Sequence, residues 1–403
     1  MPPIVQCDKD DLLLIKELNP VVRQNIKQII NKEGFVTYTV NVKDVTTNGA
    51  NYLGTLQTVT VSGKTKDGDK ELHLFLKNII NEVGRLSVLN VSEAYLKEGF
   101  CYKELFKIFE TIEDKYNIPQ EKRLNTVKGY SETNSEVIIL DDVSKMGYKA
   151  YNRFGVMTKK IAELAFEQLA KLHAMSFIIR KEYPKYFENK IKSLNTLFNI
   201  NSEFENHLRN TCNKAMETLE GDAKAKLRDF CPKMVEKYSN YIKIAPEEAV
   251  CITHGDFQPN NLLLKETNGE PSSVMIIDFQ FAYYGNPVTD LIFFIFLGTD
   301  QKFRKDHMED LKELYYGTFE SFLSDFGISA SVVYSKRQFE DDFKEKLDFG
   351  LMCFIQFMPF LFARTDQLPE LQNGLASLTL KMDERYKNCL HGVVDDFIQW
   401  GYL

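Results

Sequence analysis

Hydrophobic and polar residues alternate along "GFVTYTVNVKDV" (Gly34 to Val45), "LGTLQTVTVSG" (Leu53 to Gly63) and "LHLFLKNI" (Leu72 to Ile79). Period-two patterning rich in β-branched and aromatic side chains marks half-buried strands. A polar turn at Lys66-Asp67-Gly68-Asp69 separates the last two runs, so the three strands form an antiparallel meander after an initial helix. The pattern then changes period. "SEAYLKEGFCYKELFKIFETIEDKY" (Ser92 to Tyr116) reads as a helix capped by Ser92, and "SEVIILDDV" (Ser135 to Val143) as one more strand.

Beyond this point helical spacing prevails. "TKKIAELAFEQLAKLHAMS" puts Ile161, Leu164, Leu169, Leu172 and Met175 on one stripe, with Lys160, Glu163, Glu167 and Lys171 off it. The exception is a hairpin: "NLLLK" from Asn261, a turn at Thr267-Asn268-Gly269, and "SVMIIDF" returning to Phe279. The expected class is α+β, with a small antiparallel β-rich lobe (residues 1–144) and a larger, mostly helical lobe (145–403). No Pro/Gly/Ser-rich linker divides them, which suits two lobes closing on a shared cleft.

Composition narrows the partners. Net charge is −7 over 403 residues, which leaves no basic footprint for nucleic acid or an anionic membrane. The most apolar stretch, "FGLMCFIQFMPFLFA", is broken by Gln356 and Pro359 and falls short of the roughly 20 residues a membrane span needs. The N-terminal segment has no basic region leading into an apolar one, as a signal peptide would. Seven cysteines are scattered without CxxC pairs, against a disulfide framework or zinc site and for a reducing compartment. The chain is expected to be cytoplasmic and monomeric.

The chemistry concentrates in "CITHGDFQPNNLLL" (Cys251 to Leu264). A hairpin brings its two ends together, so Asp256 and Asn261 at the entry lie near Asp278 at the exit. Two carboxylates and an amide make a hard-oxygen site of the kind that suits Mg²⁺. A carboxylate not consumed by metal can accept a proton from an alcohol. Turn formation alone explains Asp256 or Asn261. It does not explain their recurrence with an Asp at the far end of a hairpin.

The pattern H-x-D-x-x-x-x-N, followed by an Asp ending the next strand pair, resembles the catalytic signature of the protein-kinase-like superfamily. The forms HGD and DFQ resemble its small-molecule branch of aminoglycoside phosphotransferases and choline kinases. "NGANY" (Asn48 to Tyr52), "LAKLHAMS", "HGDFQPNN", "IIDFQ" and "GNPVTDL" (Gly285 to Leu291) together resemble the ecdysteroid kinase-like family. The resemblance implies a bilobal kinase-like fold with the nucleotide cleft between the lobes, and ATP and Mg²⁺ as cofactors. It implies Asp256 as the base for the acceptor hydroxyl and Asn261 and Asp278 as metal ligands. His254 is implied to brace the loop and Gly255 to permit its turn. "NGANYLGTL" resembles a phosphate-covering loop, which gives Gly49, Asn51 and Tyr52 nucleotide contacts. Lys77 stands where the phosphate-contacting lysine belongs. Glu98 is its chosen partner because "EGFCY" fits the family's spacing of Glu and Tyr; helix spacing alone leaves Glu93 and Glu104 as rivals. Asp290 either caps the helix it opens or bonds the catalytic loop.

The acceptor implied is a small molecule, apolar or sterol-like: an ecdysteroid or a xenobiotic. The chain departs from its relatives in Gly54, where Ser is common, in "LDDV", and in Gln258 where Trp is common. His173 reads as a satisfied interior histidine, and the aromatic run Phe349 to Phe362 as core that could also line an apolar pocket. Glu340 to Asp342 read as a solvated acidic face. About a dozen residues separate Asp278 from Asp290, too few for a protein kinase's activation loop and peptide platform. The reading from a different class is a catalytically silent protein that keeps the fold to bind a ligand.

Overall fold

In the computed structural model, residues 5–7, 18–45, 54–79, 91–152, 157–197, 201–242, 250–361 and 384–403 are described. A five-stranded antiparallel sheet runs in the order β1 (Val5–Cys7), β2 (Thr37–Val45), β3 (Gly54–Thr65), β4 (Gly68–Ile79) and β5 (Val137–Asp141). The meander is as the alternation predicts. Its β3–β4 turn narrows to Lys66-Asp67, since Thr65 and Gly68 are already paired.

Alternation along β4 decides which side chains see the cleft. Leu72, Leu74 and Leu76 point to one face, where they pack with Val59, Val61 and Ile139 beneath helix α1 (Pro20–Lys32). Phe75, Lys77 and Ile79 take the other face, and Phe75 and Ile79 pack against the second, larger core. That face looks onto α2 (Val91–Phe100), which continues through a π turn at Cys101–Leu105 into α3 (Phe106–Lys115). The helix begins one residue before Ser92, so Ser92 lies inside the first turn and is not its cap. Tyr95, Cys101, Tyr102, Leu105, Phe106 and Phe109 of this helix belong to the larger core.

The rest is mostly helical. Helix α4 (Lys159–Glu182) is capped by Thr158, whose hydroxyl accepts the Ile161 amide, and runs a turn and a half past the predicted end because Phe177, Ile178 and Ile179 continue its buried face. Helices α5 (Ser202–Glu217), α6 (Gly221–Ile242), α7 (Val288–Gly298), α8 (Gln301–Asp325), α9 (Lys336–Lys346), α10 (Phe349–Leu361) and α11 (Glu384–Gln399) follow. Helix α10 is a core element, with Leu351, Met352, Cys353, Phe354 and Ile355 buried.

Set into the helices is the predicted hairpin, β8 (Leu262–Thr267) and β9 (Glu270–Ile276). Its turn residues Asn268 and Gly269 both have positive φ, 55° and 83°, as a tight two-residue hairpin turn requires. A short strand β6 (Tyr148–Ala150) adds to β8. Strand β7 (Cys251–Thr253) pairs with β10 (Tyr283–Gly285) and closes the loop that carries the candidate chemistry. No helix among the described residues is long and apolar enough to cross a membrane.

Candidate active site

The loop after β7 is held from below by one carboxylate. Asp290, in the first turn of α7, accepts the backbone N–H of His254 (2.6 Å) and of Gly255 (2.9 Å). Its Oδ2 also meets the Nε2 of His173 at 3.1 Å, and His173 Nδ1 meets the Tyr315 hydroxyl at 2.7 Å. His173 is thus the satisfied interior histidine expected, and Asp290 serves the loop. The residue capping α7 is Pro287, and Asn286 just before it accepts the Val288 amide on Oδ1.

Gly255 sits at φ +76°, and a Cβ there would lie 2.2 Å from the carbonyl oxygen of Phe281. The close approach of loop and return segment therefore requires glycine. His254 is fully buried, and burial lowers its pKa against the pull of Asp290. As a neutral ring it donates from Nε2 to the Ile277 carbonyl (2.9 Å), and its Nδ1 accepts the Asp256 amide (3.3 Å).

The loop then presents its polar groups. Asp256 is half-buried; Oδ1 accepts from Gln258 Nε2 at 2.8 Å and Oδ2 from Asn261 Nδ2 at 2.9 Å. Burial, and after it the Asp278 charge, push the Asp256 carboxyl up to about 7, against those two hydrogen bonds. With Nδ2 turned to Asp256, the amide oxygen of Asn261 is the donor left for a cation. The Ile277 amide donates to the Asn261 carbonyl at 3.0 Å, which ties the hairpin's two ends together one residue before Asp278. Asp278 itself is left-handed, φ 69° and ψ 61°, a strained state for a non-glycine residue and one that clusters at functional sites. The Tyr102 hydroxyl accepts its backbone N–H at 3.2 Å.

The sheet supplies the cation. Lys77 Nζ lies 2.7 Å from Glu98 Oε2 and 2.8 Å from Asp278 Oδ1, with Gln280 Oε1 at 3.5 Å. Its side chain is 9% exposed and that of Glu98 3%, so this pair is desolvated, whereas the Asp278 side chain is 27% exposed. Burial alone lowers an ammonium pKa; here Asp278 and Glu98 outweigh it and hold the group charged. Burial raises the Glu98 carboxyl, against Lys77. Of the rival glutamates, Glu93 faces Lys97 with its side chain 43% exposed, and the charge of Glu104 is felt by Tyr186 instead of Lys77.

Lys77, Glu98, Asp256, Asn261 and Asp278 thus meet in one place, whereas Gly49, Asn51 and Tyr52 lie outside the described residues. Four contributors were not read from the sequence. Tyr102 holds Asp278, and only the i to i+4 spacing from Glu98 hinted at it. Tyr95 stands over Lys77, 5.6 Å from Nζ to ring centre. Its hydroxyl also lies where a Cβ on Gly54 would fall, 2.3 Å away, so the serine common in relatives cannot be accommodated here. Gln258 and Gln280 tie the carboxylate and the ammonium from their free sides. One surface expectation is corrected: Asp342 is half-buried and accepts from Asn286 and from Tyr334, both at 2.9 Å, so it is a structural carboxylate and not part of a solvated face.

The sequence profile of the ecdysteroid kinase-like family matches residues 48–328, well over half of the chain and the whole of this constellation. The chain belongs to the ecdysteroid kinase-like family. No functionally curated protein matches the sequence. Solved structures to which the chain shows similarity include a microcompartment-associated aminopropanol kinase (10% identity, 94% of this chain and 98% of that one, TM-score 0.43). Others are aminoglycoside 2′-phosphotransferase-IIIa in complex with GDP (13%, 94% and 98%, 0.39) and a glucosamine kinase (10%, 89% and 94%, 0.37).

Proposed function

We propose that this member of the family is an ATP- and Mg²⁺-dependent kinase that phosphorylates a hydroxyl group of a small molecule. The observation that carries this reading is the meeting of Lys77, Glu98 and Asp278 across 201 residues of sequence, beside a loop in which Asp256 and Asn261 are joined by a 2.9 Å hydrogen bond. A structural ion pair needs one acid; this lysine has two, and the second is the carboxylate that ends the hairpin.

The donors fit the cation. Among the described residues no three His, Cys, Asp or Glu side chains cluster as a metal site. Asn261 and Asp278 offer two hard oxygens, and a Mg²⁺ ion held by so few protein groups keeps water and phosphate oxygens in its shell. When bound, Mg²⁺–ATP supplies a transferable phosphoryl group whose charge is partly neutralised. Lys77 binds phosphate oxygens, and Glu98 keeps its ammonium aimed into the cleft when Asp278 turns to the metal. Asp256 orients the acceptor O–H and takes its proton. Asp290, through two backbone amides, keeps Asp256 where it can do so.

Family membership supports an apolar acceptor, an ecdysteroid or a xenobiotic. Phe281, Tyr283, Phe293, Phe349 and Phe357 line a small recess of about 20 Å³ that also touches Gly255 and Asp290 and would have to open to admit such a molecule. The test is a mass-spectrometric screen for phosphorylated products, with ATP and Mg²⁺ and a pool of ecdysteroids, phenols, amino alcohols and glycosides. A product formed by the native chain and not by Asp256→Asn supports the reading. Thermal stabilisation by nucleotide with no product from any acceptor would overturn it in favour of a silent binding protein.

A further inference from the structure

Helix α2 sends two side chains to Lys77. Tyr95 and Glu98 are three residues apart and so lie on one face of the helix. Glu98 gives the ammonium its 2.7 Å ion pair, and Tyr95 brings its ring centre to 5.6 Å from Nζ. Tyr95 is 1% exposed and belongs to the larger core, so its ring has a fixed place.

The strand opposite is shaped to receive that ring. Leu56 pairs with Lys77 and Gly54 with Ile79, and cross-strand partners share a face of the sheet. Gly54 is therefore a diagonal neighbour of Lys77 on the cleft face, about 7–8 Å away and within reach of one aromatic side chain. Tyr95 spans that diagonal. Its ring stands over the ammonium, and its hydroxyl takes the space of a side chain at Gly54. A Cβ there would fall 2.3 Å from the hydroxyl oxygen and 2.4 Å from the Asn78 carbonyl oxygen. Glycine as the first residue of β3 leaves room for the hydroxyl, and the strand in turn stops the ring from advancing past it.

Two carboxylates fix Lys77 only while both are present. Asp278 Oδ1 lies 2.8 Å from Nζ. When that carboxylate turns to a cation, Glu98 is the one that remains. A single ion pair sets a distance but leaves a flexible lysine stem free to swing. An aromatic face beside the ammonium removes that freedom, because it attracts the charge toward one side.

We propose that Tyr95 is a positioning residue that aims Lys77 at the nucleotide phosphates. The proposal rests on the kinase reading above and deepens it: recognition of phosphate, as distinct from recognition of the nucleoside, depends on an aromatic face supplied by α2. Glu98 holds the ammonium at its distance, and Tyr95 gives it a direction.

Calorimetric titration of the full-length protein with ATP, ADP and adenosine, at one fixed magnesium concentration, tests this. Tyr95→Leu is expected to weaken ATP binding about tenfold, the scale of a desolvated cation–π contact, and to leave adenosine binding unchanged. ADP should weaken in the same direction as ATP. Tyr95→Phe keeps the ring and loses only the hydroxyl's stop against Gly54. It should show a smaller loss, again confined to the ligands that carry phosphate, and it decides alone if Tyr95→Leu does not fold. Equal weakening of ATP and adenosine overturns the proposal, since a displaced helix would lower all three ligands alike. A native ratio of ATP to adenosine affinity in every folded variant also overturns it, and leaves the kinase reading intact. A native chain that binds ATP no better than adenosine overturns the kinase reading itself, and the aiming role with it.

Discussion

Removing the Lys77 ammonium leaves Glu98 and Asp278 as two carboxylates facing one buried space. Breaking a buried pair by deleting one partner costs about 3–5 kcal/mol, and here a second acid is orphaned with the first. Lys77→Ala is therefore expected both to lower the melting temperature and to reduce transfer by more than tenfold; an unchanged rate would show that another lysine meets the phosphates. Gly255→Ala tests the loop. Its Cβ would meet the Phe281 carbonyl at 2.2 Å, so the loop must move and carry Asp256 with it. A fall in turnover larger than the fall in nucleotide affinity is expected, measured as a split between kcat and nucleotide Kd. Glu113 offers a test by pH. Burial raises its carboxyl from 4.5 to about 7, against the Leu124 amide it accepts at 2.9 Å. The folded state thus holds a proton that the unfolded state releases, and stability is lost as pH rises from 4.5 through 7. Glu113→Gln keeps the acceptor and removes the charge. It should melt above the native protein at pH 8 and not at pH 4.5; a difference independent of pH would refute the assignment.

At the scale of elements, what could be read in advance was whatever carried a period. Strands β2 to β4 alternate over nine to twelve residues, and α4 keeps its stripe over 24, so both were legible. Strands β6, β7 and β10 have three residues each, too few for any period, and are strands only because a partner lies alongside. The π turn at Cys101–Leu105 was invisible for another reason: nothing in its composition departs from a helix. Yet it sits where Tyr102 reaches the Asp278 amide, and π turns within helices recur at functional sites. The candidate site was legible because family spacing names the residues that the proposed reaction would use, such as Asp256 and Asn261. The groups that hold those residues, Tyr102, Gln258 and Gln280, depend on distances that only folding creates. Tyr102→Phe removes one hydrogen bond to a strained backbone and leaves the ring packing on Phe279 and Phe106. Its expected effect is a several-fold loss of turnover with little change in melting temperature. A variant as active as the native chain would make the tyrosine a packing residue. The hairpin's far turn is the contrast: Gly269 has φ +83° but open space around it. Gly269→Ala should cost about 1 kcal/mol of stability for the left-handed backbone and leave transfer untouched.

At the scale of the molecule, the described residues form two apolar cores with a polar seam between them. One core lies beneath α1 and the sheet; the other runs from the α2–α3 helix through the helical region. Helix α2 thus belongs with the large core while its Glu98 reaches back to a strand of the small one, and Phe279 fastens the same helix from below, 4.8 Å from Phe106 and 5.8 Å from Tyr102 between ring centres. The seam closes through Lys77 and Asp278. If Asp278 and Asn261 hold magnesium, cation binding must compete with Lys77 for Asp278 while nucleotide phosphate takes up the lysine. Nucleotide and magnesium should then stabilise the fold as separable contributions. Ligand at a hundred times its dissociation constant adds about 2.7 kcal/mol by mass action. In thermal melts, nucleotide alone should raise the melting temperature of the native chain, of Asp278→Asn and of Asn261→Ala. The further rise on adding magnesium should appear only in the native chain. Retention of that increment in both variants would show that the cation binds through the nucleotide alone and that the mouth of the hairpin is not its site. Loss of the nucleotide response itself in Asp278→Asn would mean that the carboxylate's bond to Lys77 organises the cleft before any metal arrives.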